Sequence, residues 1–260
     1  MGEPRPTILC IGGSDVQQGA GLQMDKRVVD TFGYRFAEVV AVETFQSATL
    51  GLERAIVRPL EDVADELLEA LGEHPQAVKV GALGDALLTE AVAEMLDPWQ
   101  DRIPIVVDPV TDASRAKPGV HLNSEAGREA LVQHLVPKAT LVTPNRGEFD
   151  RAEEAYRAAR ACLLKGGHGD DPREVVDELL QPGEPPLHFR RPRLEGATGI
   201  HGTGCALAAA LACLFAEGGR ELSGTVGRAL ELMHAWLTDT LRDRSGALRL
   251  RPPQWIHPVE

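Results

Sequence analysis

The residues best suited to chemistry lie in a short turn near the carboxyl end of the sequence. Residues 200–205, Ile-His-Gly-Thr-Gly-Cys, lead directly into an alanine-rich helical pattern. Backbone N–H groups at a helix start bind anions such as phosphate, because they lack intrahelical partners and lie at the positive end of the helix dipole. We therefore predict an anion site at the N–H groups of Gly202 to Cys205, with His201 orienting the turn.

The thiol of Cys205 would lie beside the bound anion. A cysteine at a helix start is expected to have a lowered pKa, so that it acts as a base or a nucleophile. Phosphoryl transfer needs positioned groups, charge neutralisation and a base for the attacking hydroxyl, and Cys205 is the candidate base. A plain helix start with a small buried cysteine fits the same six residues, since short glycine motifs carry little information alone.

A lysine followed by two glycines ends a hydrophobic run at Lys165-Gly166-Gly167-His168. Burying an ammonium group at a strand end is unfavourable unless a partner such as phosphate neutralises it. Lys165 is therefore a candidate phosphate ligand. The alternatives are a lysine whose head group reaches solvent and a loop histidine, His168, without a role.

Oxygen and amide ligands follow two further hydrophobic runs. Asn145 and Glu148 stand three residues apart at an expected helix start, which places both on one face. Asp108 ends another strand candidate. Hard oxygen ligands suit Mg²⁺ on a nucleotide, so Asp108 and Glu148 are candidate metal ligands. An asparagine cap with a glutamate three residues on, a capping-box variant, explains Asn145 and Glu148 equally well.

Glycines near the amino end bracket a loop that precedes a helix predicted over Leu22–Phe32. The two clusters are Gly12-Gly13-Ser14-Asp15 and Gly19-Ala20-Gly21. Their spacing differs from G-x-G-x-x-G, so a dinucleotide site is not predicted. Asp15 is a candidate to hold a substrate hydroxyl or amine, and a turn-capping aspartate is the alternative.

The remaining pattern alternates short apolar runs with helical ones, which indicates an α/β fold with a mainly parallel sheet. Ligands of such sheets bind at the carboxyl ends of the strands, where the motifs above would meet. The predicted strands are Thr7–Ile11, Glu38–Val42, Ala77–Val80, Ile103–Val107, Thr140–Thr143 and Ala161–Lys165, and an edge strand is expected within Gln181–Pro192. The other predicted helices are Leu60–Leu71, Leu87–Leu96, Glu148–Arg160, Cys205–Ala216 and Leu222–Arg242.

Bulk properties fit one large α/β domain. The 260 residues, 43% hydrophobic, can bury a full core. The net charge of −12 disfavours nucleic acid as a partner. Four scattered cysteines suit a reducing cytosol, and we expect neither a signal peptide nor a membrane span.

The ordered motifs resemble those of the hydroxymethylpyrimidine/phosphomethylpyrimidine kinases of thiamine biosynthesis, within the ribokinase-like superfamily. The resemblance extends from about Ile8 to about Leu237. Its last motif is the most specific, because sugar kinases of the superfamily usually carry aspartate where Cys205 stands. The matching blocks are Gly13-Ser14-Asp15, residues 19–25, Lys79-Val80-Gly81-Ala82-Leu83, Val107-Asp108-Pro109-Val110, Thr143-Pro144-Asn145 with Glu148, residues 165–168 and residues 201–205.

The resemblance implies an ATP- and Mg²⁺-dependent cytoplasmic kinase that phosphorylates 4-amino-5-hydroxymethyl-2-methylpyrimidine and then its monophosphate. It implies a single three-layer α/β/α domain over residues 1–260, often forming a homodimer. The implied catalytic residues are Cys205, Gly202, Gly204 and Lys165. The implied nucleotide ligands are Asn145, Lys165 and Thr203, and the implied metal ligands are Asp108 and Glu148. The implied pyrimidine site consists of Asp15, Ala20, Gly21, Gln46 and Val110.

The chain departs from the family pattern in three segments: Val16-Gln17-Gln18, Gln46 to Gly51 and the lid within residues 111–120. The segment between Glu148 and Lys165 is also short, and the second helix that the family often has there is expected to be missing. Two alternative functions therefore stay open. One is a pyridoxal or pyridoxine kinase, and the other is a non-catalytic pyrimidine-binding regulatory protein.

Overall fold

The structure is a computed structural model that describes residues 5–15, 20–47, 51–110, 117, 119–167, 169, 171–219, 221–242, 250 and 252, with Gln46 and Ser47 described by their backbone. These residues form one nine-stranded sheet with helices on both faces. The strands are β1 (Thr7–Asp15), β2 (Arg35–Ser47), β3 (Gly51–Val57), β4 (Ala77–Val80), β5 (Ile105–Val107), β6 (Leu141–Val142), β7 (Cys162–Leu164), β8 (Glu174–Leu180) and β9 (Leu187–Pro192).

Eight α-helices occur within these ranges, and short helical turns follow two of them. The helices are α1 (Gly21–Thr31), α2 (Leu60–Gly72), α3 (Ala86–Leu96), α4 (Glu125–Ala130), α5 (Arg146–Arg151), α6 (Glu153–Ala158), α7 (Thr203–Ala216) and α8 (Leu222–Arg242). The turns are Asp97–Trp99 after α3, and Leu131–Leu135 and Val136–Lys138 after α4.

The sheet is mainly parallel, as predicted. Its strand order is β3-β2-β1-β4-β5-β6-β7-β8-β9. The six central strands, β2, β1, β4, β5, β6 and β7, run parallel to one another. The added strands β3, β8 and β9 are antiparallel to their neighbours. The two ends of the sheet are therefore antiparallel extensions around a parallel centre.

The central strands are apolar nearly throughout because both of their faces are covered. On β1, Ile8 and Cys10 pack with α1, α7 and α8 on one face, whereas Leu9 and Ile11 pack with α2 and α3 on the other. This alternation is the two-residue period of a strand expressed in two separate cores. The expected three-layer α/β/α arrangement is confirmed.

Several predicted boundaries were wrong. The prediction missed β3 and β8, because charged residues interrupt the apolar ones in both strands. The single helix predicted over Glu148–Arg160 is broken at Ala152 into α5 and α6, which lets Tyr156 turn inward and stack on Phe149 with the ring centroids 6.1 Å apart. The expectation that a second helix is missing between Glu148 and Lys165 was therefore wrong, because the short helix α6 lies there. Strands β1 and β2 also extend well beyond the predicted ends.

Within the described ranges, none of the helices is both long enough and apolar enough to cross a bilayer.

Candidate active site

The parallel strands bring their polar ends to one edge of the sheet. Strands β1, β4, β5, β6 and β7 all point the same way, so the residues that follow them share that edge. The glycine turn that starts α7 meets the same edge, because Gly204 lies against Asp108 and Lys165. The predicted convergence of the motifs is therefore confirmed for Asp108, Asn145, Lys165 and Gly204.

Lys165 is held by a buried carboxylate. Its Nζ lies 2.7 Å from Asp108 Oδ1, and the Thr143 hydroxyl donates to the same oxygen at 3.2 Å. Burial alone would lower the pKa of Lys165, but the charges of Asp108 and Glu148 outweigh burial and raise it. The ammonium therefore stays protonated, as a phosphate ligand must.

The start of α7 faces this ion pair. Gly202 caps the helix with a φ of 83°, a left-handed conformation that favours glycine, and no side chain caps the helix there. A Cβ atom added to Gly204 would lie 3.5 Å from both Asp108 Oδ2 and Lys165 Nζ. The N–H groups of Thr203, Gly204 and Cys205 thus lie at the positive end of a 14-residue helix, beside a lysine ammonium.

The predicted lowering of the Cys205 pKa was wrong. Cys205 is partly exposed, whereas the other three cysteines are buried. Burial of the sulfur nevertheless raises the pKa of Cys205 to about 11, and Asp25 and Asp108 raise it further. The ammonium of Lys79 and the Gly21 N–H act in the opposite direction but do not compensate. The prediction failed because the helix start was weighed without the desolvation of the thiol.

The motif of Asn145 and Glu148 forms a complete capping box. Asn145 Oδ1 accepts from the Glu148 N–H at 2.9 Å, and Glu148 Oε2 accepts from the Asn145 N–H at 2.8 Å. Asn145 also forms an isolated parallel bridge with Lys165. The capping explanation is therefore confirmed, and the cap fixes the Glu148 carboxylate near Lys165.

The glycine loop near the amino end reaches the same thiol. Asp15 ends β1, and its Oδ2 accepts from the Ala20 N–H at 3.2 Å, so it caps the turn before α1. Gly21 has a φ of 59°, and a Cβ there would lie 2.2 Å from Gly13 O. This position thus requires glycine, which allows the first N–H of α1 to approach Cys205.

The other predicted site residues are placed less completely. Val110 packs with Leu52, Ala82, Leu122 and Val120 in a small separate cluster. Gln46 pairs with Leu52 through the backbone of β2 and β3. Its side chain, His168 and lid residues 111–116 and 118 lie outside the described residues. His201 accepts a backbone hydrogen bond from Leu250 at 3.1 Å.

Sequence reasoning missed the role of strands β8 and β9 in shaping the loop after Lys165. Asp177 of β8 accepts from the Gly166 N–H at 2.8 Å and pairs with Arg191 of β9. The Arg193 guanidinium donates to four backbone carbonyls, those of Gly167, Gly169, Asp171 and Glu174, at 2.6–3.3 Å. A Cβ on Gly166 would lie 1.8 Å from Val176 O, so the loop lies close against β8.

A cavity of about 470 Å³ adjoins the site on the sheet face opposite α7. It lies between α4 with its following turn and the α5–α6 pair. Its walls include Pro109, Asn123, Arg128, Glu148, Arg151 and Tyr156. Glu148 thus borders both the cavity and the candidate phosphate site.

Comparison with known proteins agrees with this geometry. A family model described as phosphomethylpyrimidine kinase matches residues 15–250. This chain belongs to the phosphomethylpyrimidine kinase family. A hydroxymethylpyrimidine/phosphomethylpyrimidine kinase of Streptomyces coelicolor is 36% identical over 232 residues, which cover 82% of this chain and 82% of that relative. Members of the family are phosphotransferases.

Solved structures of this kinase family and its neighbours share the fold. A phosphomethylpyrimidine kinase of Clostridium difficile superposes with a TM-score of 0.71 at 25% identity, over 91% of this chain and all (100%) of that one. A Staphylococcus aureus pyridoxal kinase in complex with AMP-PCP and pyridoxal gives a TM-score of 0.76 at 23% identity, over 90% and 88% of the two chains. That second likeness shows the ribokinase-like fold alone.

Proposed function

We propose that this protein transfers the γ-phosphoryl group of ATP to the hydroxymethyl oxygen of 4-amino-5-hydroxymethyl-2-methylpyrimidine, and then phosphorylates the resulting monophosphate. Family membership supports the reaction class and the substrate. The structural observation that carries the proposal is that the start of α7 approaches the Lys165–Asp108 pair at Gly204.

Charge neutralisation at the transferred group is the first task of these residues. The N–H groups at the start of α7 and the Lys165 ammonium would hold the phosphoryl oxygens as negative charge redistributes during transfer. Asp108 keeps Lys165 charged and in place. Asn145 and Lys165, paired across neighbouring strand ends, would contact the nucleotide phosphates together with Thr203.

Proton removal from the alcohol is the second task, and we assign it to Cys205. The bond between the γ-phosphorus and the β,γ-bridging oxygen of ATP breaks, so that ADP leaves with that oxygen. The alcohol oxygen bonds to phosphorus, and the alcohol proton passes to the Cys205 thiolate. Because the pKa of Cys205 is raised to about 11, the thiol must first release its own proton to solvent. The reaction is therefore expected to accelerate with pH.

Magnesium fits the acidic residues of the site only together with nucleotide phosphates. Among the described residues, no group of three or more histidine, cysteine or acidic side chains could hold a metal ion. Asp108 and Glu148 are hard oxygen ligands near Lys165, and Mg²⁺ typically uses one or two carboxylates, phosphates and waters. When bound, the ion would neutralise phosphate charge.

The pyrimidine would lie between Cys205 and the loop that joins β1 to α1, near Asp15, Ala20 and Gly21. The close approach of the Gly21 N–H to the thiol supports this placement. Val110 and Gln46 would complete the pocket, with Val110 at its apolar wall.

The proposal is tested by incubating the purified protein with Mg-ATP and, separately, the pyrimidine alcohol, its monophosphate or pyridoxal. We expect ADP release and a gain of one phosphate by mass spectrometry with both pyrimidines. Transfer to pyridoxal alone would replace the proposal with a pyridoxal kinase. Pyrimidine binding by calorimetry without any transfer would indicate a non-catalytic homologue.

We further propose a single domain over residues 1–260, a cytoplasmic location and a homodimer that does not bind nucleic acid. Two continuous cores that share one sheet support the single domain. Four free cysteines support a reducing compartment. Sedimentation at several protein concentrations tests the dimer, and one cooperative unfolding transition is expected of the domain.

A further inference from the structure

A buried ion pair lies between α1, β4 and the start of α7. Lys79 Nζ of β4 is 2.7 Å from Asp25 Oδ2 of α1, and the two side chains are 2% and 0% exposed. Helix α7 packs against both α1 and β4. The pair is thus enclosed by the elements that carry the candidate base and the glycine loop.

Stability alone does not account for this pair. Removing two charges from water costs free energy, which their attraction repays only when every remaining polar atom is also hydrogen-bonded. Asp25 Oδ1 has no hydrogen-bond partner in the part of the chain that the structure describes. A pair of apolar residues in this position would be expected to stabilise the fold equally well.

The charge of Lys79 acts on two thiols, and only one of them is accessible. Cys10 lies opposite Lys79 in the pairing of β1 with β4, and burial raises its pKa well above the usual value. Cys205 is the partly exposed one. Of these two thiols, only Cys205 is therefore open to a reagent that would report the effect of Lys79.

Other charges near Cys205 come from each element packed against it. Asp25 of α1 and Asp108 after β5 raise the pKa of Cys205, whereas Lys79 lowers it more than either of these carboxylates raises it. Lys165, which follows β7, also interacts electrostatically with Cys205, whose charge contributes to the raised pKa of Lys165. Burial lowers the pKa of Lys79, but nearby negative charges outweigh burial and raise it. Asp25 contributes most, followed by Cys205 and Asp108, so Lys79 stays protonated.

We propose that Asp25 fixes the Lys79 ammonium beside Cys205, where its charge stabilises the thiolate that accepts the proton of the alcohol. Lys79 and Asp25 are positioning residues, since neither is expected to contact substrate. The proton transfer rests on the proposed kinase function, whereas stabilisation of the thiolate does not. The two claims can therefore be tested separately.

The test measures alkylation of Cys205 by iodoacetamide between about pH 7 and 10, without nucleotide or alcohol, by mass spectrometry of the peptide. Lys79→Met should slow alkylation about tenfold at each pH, which corresponds to a rise of about one unit in the Cys205 pKa. Lys79→Arg retains the charge and should stay within about threefold of the wild type. Loosened packing would instead speed alkylation.

A double variant guards against misfolding of the single one. Lys79→Met with Asp25→Asn leaves no unpaired buried charge, and alkylation should again be slower, because Lys79 affects the thiol more than Asp25 does. Lys26→Met is the matched control, since it breaks an exposed 3.0 Å pair with Asp30 on the same helix α1. It should alkylate at the wild-type rate.

Wild-type alkylation rates in both Lys79→Met and the double variant would overturn the inference, whatever the kinase activity. Slower alkylation in a protein that transfers no phosphate would keep the inference and remove the kinase function. If both claims hold, kcat/KM for the alcohol should fall by the same factor as the alkylation rate, with the KM for ATP unchanged.

Discussion

Lys165 Nζ and Asp108 Oδ1 lie 2.7 Å apart, although the two residues follow different strands of the sheet. Asp108 is almost completely buried, and both side chains face Gly204 at the start of α7. The lysine is thus fixed against a helix start by a carboxylate that keeps the lysine charged. This relationship brings three separate sequence motifs together at the proposed phosphate site.

Gly204→Ala should separate folding from activity. The added Cβ would lie 3.5 Å from Asp108 Oδ2 and Lys165 Nζ, which is ordinary van der Waals contact, so the free protein accommodates it. Replacing a helical glycine by alanine should leave the free energy of unfolding equal or raise it by about 0.5 kcal/mol. The methyl group would occupy the space of a phosphoryl oxygen, and we expect kcat to fall at least about a hundredfold.

Urea unfolding and ADP release measure these two effects. Gly72→Ala at the end of α2 is the control, because a Cβ there meets nothing within 4 Å. Its activity should equal that of the wild type. Full activity in Gly204→Ala would show that the phosphoryl group does not bind at the start of α7.

The pH dependence of the reaction should report the raised pKa of Cys205. Below a pKa of about 11 the thiolate fraction grows with pH, so the base form is scarce near neutrality. We expect kcat/KM for the alcohol to rise about tenfold per pH unit between about pH 7.5 and 9.5. Cys205→Ala should still bind the alcohol and should lose transfer. A flat profile in this range would assign proton removal to another group.

The central architecture was predictable because buried parallel strands are apolar on both faces. The runs at Ala77–Val80 and Ile103–Val107 have that pattern, and they form β4 and β5. Strand β8 was not predictable in the same way, since three charged residues interrupt its valines and leucines. Two of them, Glu174 and Asp177, pair with arginines of β9. These contacts join strands whose register the sequence pattern does not specify.

The residues of the candidate site also differ in whether a local sequence signal could reveal them. Lys165, Asn145 and Gly204 were found because strand ends and helix starts have local signals. Lys79 carries an equally strong signal, an ammonium within an apolar strand, but its partner Asp25 is 54 residues away. The pKa of Cys205 was mispredicted for a related reason, since desolvation depends on how α1 and α7 pack and not on the local motif.

Arg193→Lys should weaken nucleotide binding more than it slows transfer. The guanidinium donates to the carbonyls of Gly167, Gly169, Asp171 and Glu174, and an ammonium cannot reproduce that planar set of donors. The loop after Lys165 should then lose its fixed shape, and the KM for ATP should rise about tenfold with kcat within about threefold.

The control for Arg193→Lys is a neighbouring arginine of β9. Within the described residues, Arg190 pairs with the half-buried side chain of Glu174 at 2.6 Å, and Arg190→Lys can keep that pair. Its steady-state constants should match those of the wild type. An equal change in both variants would indicate a general loss of β9 rather than a role of Arg193 in the loop.

Glu148→Gln should reveal whether the capping residue also serves the metal ion. Glutamine at this position retains the capping box, so the free energy of unfolding should change by less than about 0.5 kcal/mol. Losing the negative charge should weaken Mg²⁺ at the phosphate site, and the Mg²⁺ concentration for half-maximal rate should rise about tenfold. Asn145→Ala, which removes the cap, should destabilise the protein by about 1 kcal/mol. Urea titrations and rates across a Mg²⁺ series distinguish the two, and an unchanged Mg²⁺ requirement in Glu148→Gln would restrict Glu148 to capping.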